Sequence, residues 1–174
     1  MDVPITICLL SIYFNLEPIT LNVQQNAMKI VFKTFPELSN HELYSILRLR
    51  AEVFVVEQDC VYQDVDGRDQ DAWHLLGFAG DDLAAYTRIL KPGAQHNEAA
   101  VGRVVTSPNY RGKKLGKQIF AASILEAQRL FPKQPLRIMA QCYLIKFYEA
   151  FGFEVEGDEF LEDGIPHVEM LLGR

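Results

Sequence analysis

A short basic loop is the segment of this sequence whose residue types and spacing point most directly to chemistry. Its seven consecutive residues combine basic side chains with glycines: Arg111, Gly112, Lys113, Lys114, Leu115, Gly116 and Lys117. A predicted strand precedes the loop and a predicted helix follows it. Free N–H groups at a helix N-terminus, together with nearby cations, form a binding site for phosphate. The loop therefore indicates a site for a phosphorylated ligand, with a solvated basic turn as the alternative.

Two common nucleotide-binding motifs are excluded by the spacing of this loop. A Walker A motif needs a longer span between its glycines and a Ser or Thr after the lysine. Here Gly112 and Gly116 enclose three residues, and Gln118 follows Lys117. The Rossmann GxGxxG motif is absent as well. Any phosphate site in the loop must be of another kind.

The acidic segment 57–71 is the second charged feature, with six carboxylates and one arginine. It is either a solvated surface loop or a region that attracts a cationic amine. An EF-hand is excluded because Gly67 follows Asp64 too closely for a calcium loop. The four histidines lie far apart and no cysteines are paired in sequence, so zinc spacing is absent too. We expect no metal site.

The elements that position these segments follow from the apolar periodicity. A capping box at Ser39 and Glu42 predicts a helix over about 40–56, and a 3.6-residue apolar period predicts a second from Leu115 to about 130. A third, short helix ends at Gly152. Strands are predicted at 29–35, 74–80, 83–90, 99–107, 135–140, 153–160 and 166–172. This order predicts an α/β domain with a mostly antiparallel sheet and one right-handed parallel crossover near 101–140.

Composition and charge limit the class of protein. The 174 residues are 49% hydrophobic and carry a net charge of −6, which fits one globular domain and argues against general affinity for nucleic acid or an anionic membrane. The three cysteines, Cys8, Cys60 and Cys142, are too few for a disulfide framework, so we expect a cytoplasmic protein. The sequence leaves the oligomeric state open, a homodimer included.

The first 27 residues differ from the rest because they contain no Lys or Arg. Their apolar run from Ile5 to Phe14 is too short to span a bilayer and lacks the basic flank of a signal peptide. We expect the folded domain to comprise residues 28–174 and residues 1–27 to be an extension outside it. The alternative is an extra element that packs on the domain or on a partner.

The loop and three other strings resemble the GNAT superfamily of acyl-CoA-dependent N-acetyltransferases. Arg111, Lys114 and Gly116 occupy the defined places of the signature Q/R-x-x-G-x-G/A, and KFYEAFGF from Lys146 is similar to the superfamily's FYxxxGF. The strings LRAEVFVVEQDCVYQDVDG and EDGIPH resemble the ElaA branch. Lys114 departs from the expected glycine. Because Gly112 lies beside it, we expect that no left-handed conformation is required at position 114.

The resemblance implies the GNAT acyl-CoA N-acyltransferase fold, a mixed and mostly antiparallel sheet with one splayed parallel strand pair, flanked by helices. It implies acetyl-CoA, or another short acyl-CoA, as co-substrate at the basic loop. The backbone of Val104, Val105 and Thr106 would engage the pantetheine and the thioester oxygen. Tyr148 occupies the position of the general acid, which protonates the leaving thiolate. The alternative for Tyr148 is a structural aromatic residue on a buried helix face.

The general base is less clearly indicated. An amine is protonated at neutral pH and must lose a proton before it attacks. The predicted strand at 99–107 carries no carboxylate where many members of the superfamily have one. The candidates are Glu57, His74 and His167, with proton transfer through water as a competing route.

These observations predict transfer of an acetyl or other short acyl group to a small-molecule or peptide amine. A first alternative is chemistry like that of acyl-homoserine lactone synthases, whose acceptor is also an amine. A second is a CoA-binding or interaction module without turnover.

Overall fold

The computed structural model describes residues 28–173. The extension predicted for residues 1–27 lies outside the described residues. None of the described helices has the length and hydropathy needed to cross a membrane.

Seven strands form one sheet, at the positions expected from the sequence to within one or two residues. They are β1 (Lys29–Thr34), β2 (Trp73–Ala79), β3 (Asp82–Leu90), β4 (Ala99–Thr106), β5 (Leu136–Gln141), β6 (Glu154–Glu162) and β7 (Ile165–Leu172). Their order across the sheet is β1-β2-β3-β4-β5-β7-β6. Among the described strands only β4 and β5 pair in parallel, and the other neighbours are antiparallel. The prediction of a mixed sheet with one parallel pair is confirmed.

Three α-helices cover the sheet: α1 (Asn40–Arg50), α2 (Leu115–Leu130) and α3 (Ile145–Glu149). The predicted capping box is present, because Ser39 Oγ accepts from the Glu42 N–H and the Glu42 carboxylate accepts from the Ser39 N–H. The helix expected over 40–56 is divided in two. After Arg50 the chain widens into π-helical turns over Ala51–Glu57. The sequence period does not distinguish this wider turn from an α-helix, and such turns are frequent near functional sites.

The sheet is buried on both faces. On one face, α2 and α3 pack through a large apolar core that includes Leu75, Ile119 and Phe120. On the other face, α1 packs through a smaller core that includes Ile46 and Tyr86. The central strands are therefore rich in apolar residues on both sides, as expected of a sheet between two helical layers.

Candidate active site

A cavity of about 610 Å³ lies where β4 and β5 separate. The two strands pair only at Ala99 with Leu136 and at Ala100 with Arg137. Beyond these pairs they share no further ladder position in the described part of the chain. The facing edges of the two strands therefore present backbone N–H and C=O groups to the cavity instead of to each other, and such groups need partners. The cavity is lined on one side by β4, including Val104, Val105 and Thr106.

A β-bulge changes the direction of β4 beside this cavity. Tyr86 pairs with Val105 and Arg88 with Gly102, so three steps along β4 face two steps along β3. The extra residue lies in the Gly102–Val104 stretch, where Arg103 has a φ of 53°, unusual for a residue with a side chain. The bulge resets the alternation of side chains. Val101 and Val104 consequently both pack on the α2 side, three positions apart.

The strained residue of the bulge is held by an ion pair. Arg103 Nε lies 2.8 Å from Asp64 Oδ1, and Arg103 Nη2 donates to the Asp64 carbonyl at 3.2 Å. A backbone in this region costs about 1–3 kcal/mol and persists only where surrounding contacts compensate. The contacts with Asp64 provide that compensation, so the segment after α1 fixes the shape of β4.

The basic loop leads into α2 through a left-handed residue. Lys114 has φ 62° and ψ 16°, so the expectation that position 114 needs no left-handed conformation is wrong. Gly112 is also left-handed, with φ 78°, so the loop has a left-handed residue at both position 112 and position 114. The Lys114 side chain provides no cap, and Gln118 is the first N–H to bond back, to the Lys114 carbonyl. The N–H groups of residues 115–117 are therefore available to an anion.

Gly116 allows α2 to begin directly against the end of β4. A Cβ at this position would lie 3.1 Å from Thr106 Oγ1, closer than most side chains tolerate. Both residues line the cavity. The absence of a side chain at Gly116 thus brings the start of α2, with its free N–H groups, to the cavity wall.

The residues of the predicted cofactor loop differ in whether they line the cavity, lie in the core or are exposed. Arg111 and Gly116 line the cavity, whereas the Leu115 side chain is buried in the apolar core. The remaining loop residues are exposed beside the mouth of the cavity, and they are Gly112, Lys113, Lys114 and Lys117. Lys113 also lies over the ring of Tyr110, 5.0 Å from its centroid. Leu115 can therefore offer a ligand only its backbone, whereas the exposed lysines can offer charge.

Glu57 lines the cavity, but its carboxylate is engaged. Arg111 donates to both oxygens, Nη1 to Oε1 at 2.8 Å and Nη2 to Oε2 at 2.9 Å. This bidentate hydrogen bonding raises the pKa of Arg111. Both oxygens of the Glu57 carboxylate are therefore occupied by guanidinium donors. The structure therefore gives Glu57 the role of positioning Arg111 and does not support it as the general base.

His74 is far less accessible than a base must be. It is 1% exposed and does not line the cavity. Its Nε2 donates to the Asp69 carbonyl at 3.0 Å, which leaves Nδ1 to accept from the Tyr86 hydroxyl at 2.7 Å. Desolvation lowers the pKa of His74, so the ring stays neutral. His74 is a structural residue, and its proposed role as a base is a wrong prediction.

His167 is the one candidate base that combines access with a free ring nitrogen. It lies on β7, is 9% exposed and lines the cavity. Its Nδ1 is 2.8 Å from the Ile165 carbonyl, which can only accept, so Nδ1 carries the proton. In the neutral ring Nε2 is then an acceptor, and it has no hydrogen-bond partner among the described residues.

Tyr148 lines the same cavity from α3. Its ring is packed edge-on against Phe120 and Phe147, each with a centroid distance of 5.0 Å. No hydrogen bond to another described residue engages its hydroxyl. Burial raises the pKa of Tyr148, so the phenol is protonated at neutral pH and can donate. Packing by neighbouring rings fixes the position of this donor.

The acidic segment 57–71 is only partly a solvated loop, because three of its six carboxylates are withdrawn from solvent and bound by arginines. Asp64 and Asp69 are buried and bond Arg50, and Asp69 also accepts from Arg88. Asp66 bonds Arg88 through both oxygens, at 2.7 Å each. Because these carboxylates are neutralised by arginines from α1 and the sheet, both expectations for them, free solvation and attraction of an amine, are wrong.

Sequence reasoning missed several charged residues that line the cavity, among them Arg88, Arg103, Glu162 and Asp163. No local signal marks Arg103, because a bulge depends on pairing with another strand. A signal for Glu162 and Asp163 was present, since residues 147–173 contain eight carboxylates and no Lys or Arg. Among the described residues no cluster suits a metal ion.

Comparison with known proteins agrees with this geometry. A family model described as an acetyltransferase (GNAT) domain matches residues 36–173. Protein ElaA of Escherichia coli K12 is 43% identical over 136 residues, which cover 77% of this chain and 89% of ElaA. A UPF0039 protein of Synechocystis is 42% identical over 142 residues, covering 81% of this chain and 92% of its own.

Solved structures show the same architecture. An acyl-CoA N-acyltransferase from Pseudomonas aeruginosa is 39% identical, with a TM-score of 0.81, over 84% of this chain and 100% of its own. The crystal structure of E. coli ElaA superposes with a TM-score of 0.79 at 39% identity, over 84% of this chain and 99% of ElaA. The chain therefore belongs to the GNAT superfamily of acyl-CoA-dependent acyltransferases, in the branch that contains ElaA and the UPF0039 proteins.

Proposed function

We propose that this protein is an N-acetyltransferase that moves an acetyl or other short acyl group from acyl-CoA to an amine by direct attack. The observation that carries the proposal is the cavity between β4 and β5. One wall of this cavity meets the free N–H groups of α2, and the same cavity contains an unpartnered imidazole nitrogen and a protonated phenol. An anion site, a proton acceptor and a proton donor thus share one space.

The start of α2 fits the phosphates of CoA. The N–H groups of residues 115–117 and the dipole of a 16-residue helix favour an anion at this point. The exposed Lys113, Lys114 and Lys117 add positive charge around it. Arg111, held by Glu57, stands where the loop meets the cavity.

Each group that lines the cavity can then carry out one part of the acyl-transfer reaction. The thioester supplies an activated acyl group, and the backbone of Val104 and Val105 on the open edge of β4 can donate to its carbonyl oxygen. His167 Nε2 accepts a proton from the amine, whose nitrogen forms the new bond to the acyl carbon. Tyr148 donates its proton to the sulfur as the carbon–sulfur bond breaks. The products are an amide and CoA thiol.

Release of CoA thiol from acetyl-CoA, measured with a panel of amines and with mass detection of the amide, tests this function. We expect thiol release that depends on an amine. Tyr148→Phe should lower kcat at saturating acetyl-CoA by about two to four orders of magnitude, the usual contribution of a positioned general acid. Tyr44→Phe is the matched control, because Tyr44 is 71% exposed on α1 and outside the cavity.

The alternatives give different results in the same experiment. A binding module would bind CoA, measured by calorimetry, without amine-dependent thiol release. A chain like the acyl-homoserine lactone synthases would form a lactone as well as an amide. An unchanged kcat in Tyr148→Phe would remove the role of Tyr148.

We propose that residues 28–174 form the catalytic domain and that residues 1–27 are dispensable. Deletion of the first 27 residues should leave the melting temperature and kcat unchanged, and loss of either would overturn this boundary. The described cysteines, Cys60 and Cys142, are free thiols, which supports a reducing compartment and hence the cytoplasm. A homodimer stays a prediction for measurement of the mass in solution.

A further inference from the structure

The hairpin of β6 and β7 carries a concentrated negative charge. Residues 147–173 contain eight carboxylates and no Lys or Arg, in a chain whose total net charge is −6. Two of the eight, Glu156 and Glu169, contact Arg137. Of the remaining carboxylates, Glu162 and Asp163 line the cavity, and their charge favours cations at this end of it.

Glu162 and Asp163 bring part of this charge to the rim of the cavity, where both residues are exposed. Both lie at the turn between β6 and β7, and both line the cavity. Neither carboxylate has an ion pair or hydrogen bond with another described residue. The turn is fixed from the other side, where Cys60 Sγ contacts the Asp163 carbonyl at 3.6 Å. The backbone of the turn is thus held by a contact with Cys60, whereas the two carboxylates have no partner among the described residues.

His167 shares a face of the hairpin with Glu162. Phe160 pairs with His167 and Glu162 pairs with Ile165. Side chains two positions apart on a strand point to the same side, so Glu162 and His167 are diagonal neighbours, about 7–8 Å apart between Cα atoms. His167 is a residue that is 9% exposed, and its Nε2 has no partner among the described residues, which is a second sign of a ligand here.

These groups suit two different parts of one acceptor. The reacting nitrogen must become neutral, and a carboxylate beside it would stabilise the ammonium form and oppose that step. A neutral imidazole accepts the proton without this effect. The carboxylates are better suited to a second cation that does not react.

We infer that the acceptor is a small linear diamine or polyamine. One amine lies at His167 Nε2, and a second ammonium binds Glu162 and Asp163 at a distance that a chain of four or five carbons spans. This inference rests on the proposed acyl transfer and names its acceptor class. An acceptor with a carboxylate in place of the second amine would be repelled.

Three acceptors of equal chain length test the inference at saturating acetyl-CoA. They are diaminopentane with an amine at each end, pentylamine, and aminopentanoate with its amine and carboxylate at opposite ends. We expect kcat/KM for diaminopentane to exceed that for pentylamine by up to about fivefold, the factor that an ion pair with exposed carboxylates supplies. Aminopentanoate should be the poorest of the three.

A double variant, Glu162→Gln with Asp163→Asn, should remove the preference by raising KM for diaminopentane. The ratio of kcat/KM for diaminopentane to that for pentylamine should fall toward one. The matched control, Glu154→Gln with Asp158→Asn, removes the same charge from β6 outside the cavity. It should retain the preference.

The outcomes separate this inference from the proposed function. If pentylamine releases CoA as efficiently as diaminopentane, acyl transfer stands and the diamine inference fails. A diamine preference that survives the cavity variant, or that the control removes equally, also overturns it. If no amine releases CoA, the proposed function fails and the acceptor class fails with it.

Discussion

Substitution of Asp69 by Asn tests whether the buried ion network holds the acidic segment onto the sheet. Asp69 Oδ1 accepts from Arg50 Nη1 and from Arg88 Nη1, each at 2.8 Å. Both arginine side chains are at most 2% exposed. Asparagine keeps the shape of the side chain but removes the charge that both guanidinium groups share.

The expected loss of unfolding free energy depends on which carboxylate partners each arginine retains in the variant. Breaking a buried ion pair costs about 3–5 kcal/mol, because the other charge stays buried. Arg50 retains Asp64 and Arg88 retains Asp66, so the lower end of that range, about 3 kcal/mol, is expected. For a chain of this size the melting temperature should fall by about 6–12 °C.

The control for Asp69→Asn is Asp71→Asn, two residues away. The Asp71 side chain is 77% exposed and lies 3.7 Å from Lys91, so its loss should cost less than about 1 kcal/mol. Equilibrium unfolding in urea measures both free energies. If the two variants lose the same stability, the network does not anchor the segment.

The pH dependence of the same variant gives a second test. Burial by itself would raise the pKa of Asp69, but the charges of Arg50 and Arg88 outweigh it and lower the pKa. A carboxylate with a lowered pKa stabilises the fold fully above its unfolded value, and that contribution is lost as the pH falls toward the folded value. The difference in unfolding free energy between the original protein and the Asp69→Asn variant should therefore be constant near neutral pH. It should shrink below about pH 4. A constant difference down to strong acid would contradict the assigned ionisation.

Three further predictions concern the site and its support. Gly116→Ala should raise KM for acetyl-CoA, because the new Cβ would lie 3.1 Å from Thr106 Oγ1. Adding Thr106→Ala should restore KM. A KM that Gly116→Ala leaves unchanged would contradict this close contact. His167→Gln should lower kcat at saturating acetyl-CoA because it removes the proton acceptor, whereas Glu57→Gln should change kcat far less; the reverse result would make Glu57 the base. Burial lowers the pKa of His74, so the unfolded chain takes up a proton first and unfolding free energy should fall as the pH drops below about 6.5. His74→Gln should reduce that fall when urea unfolding is measured between neutral and mildly acidic pH, and an identical slope in both proteins would contradict a neutral buried ring.

Local patterns in the sequence were sufficient to predict the helices and strands and to indicate the family. The capping box at Ser39 and the apolar period after Leu115 predict helices where the structure has them, because both signals act within a few turns of one chain segment. The basic loop was correctly predicted to precede a helix. The order of strands and helices, with the motifs at Arg111 and Lys146, was enough to indicate the GNAT fold.

Only the tertiary structure decided which of the chemically capable residues can act. His74 and His167 are equivalent in the sequence, but contacts with Tyr86 and the Asp69 carbonyl occupy both nitrogens of one ring, while the other keeps a free nitrogen in the cavity. The carboxylates of the acidic segment became structural because arginines distant in sequence neutralise them. The bulge at Arg103 depends on the pairing of β4 with β3. Burial, pairing and strand register are set by residues far apart along the chain, and a local pattern carries no information about them.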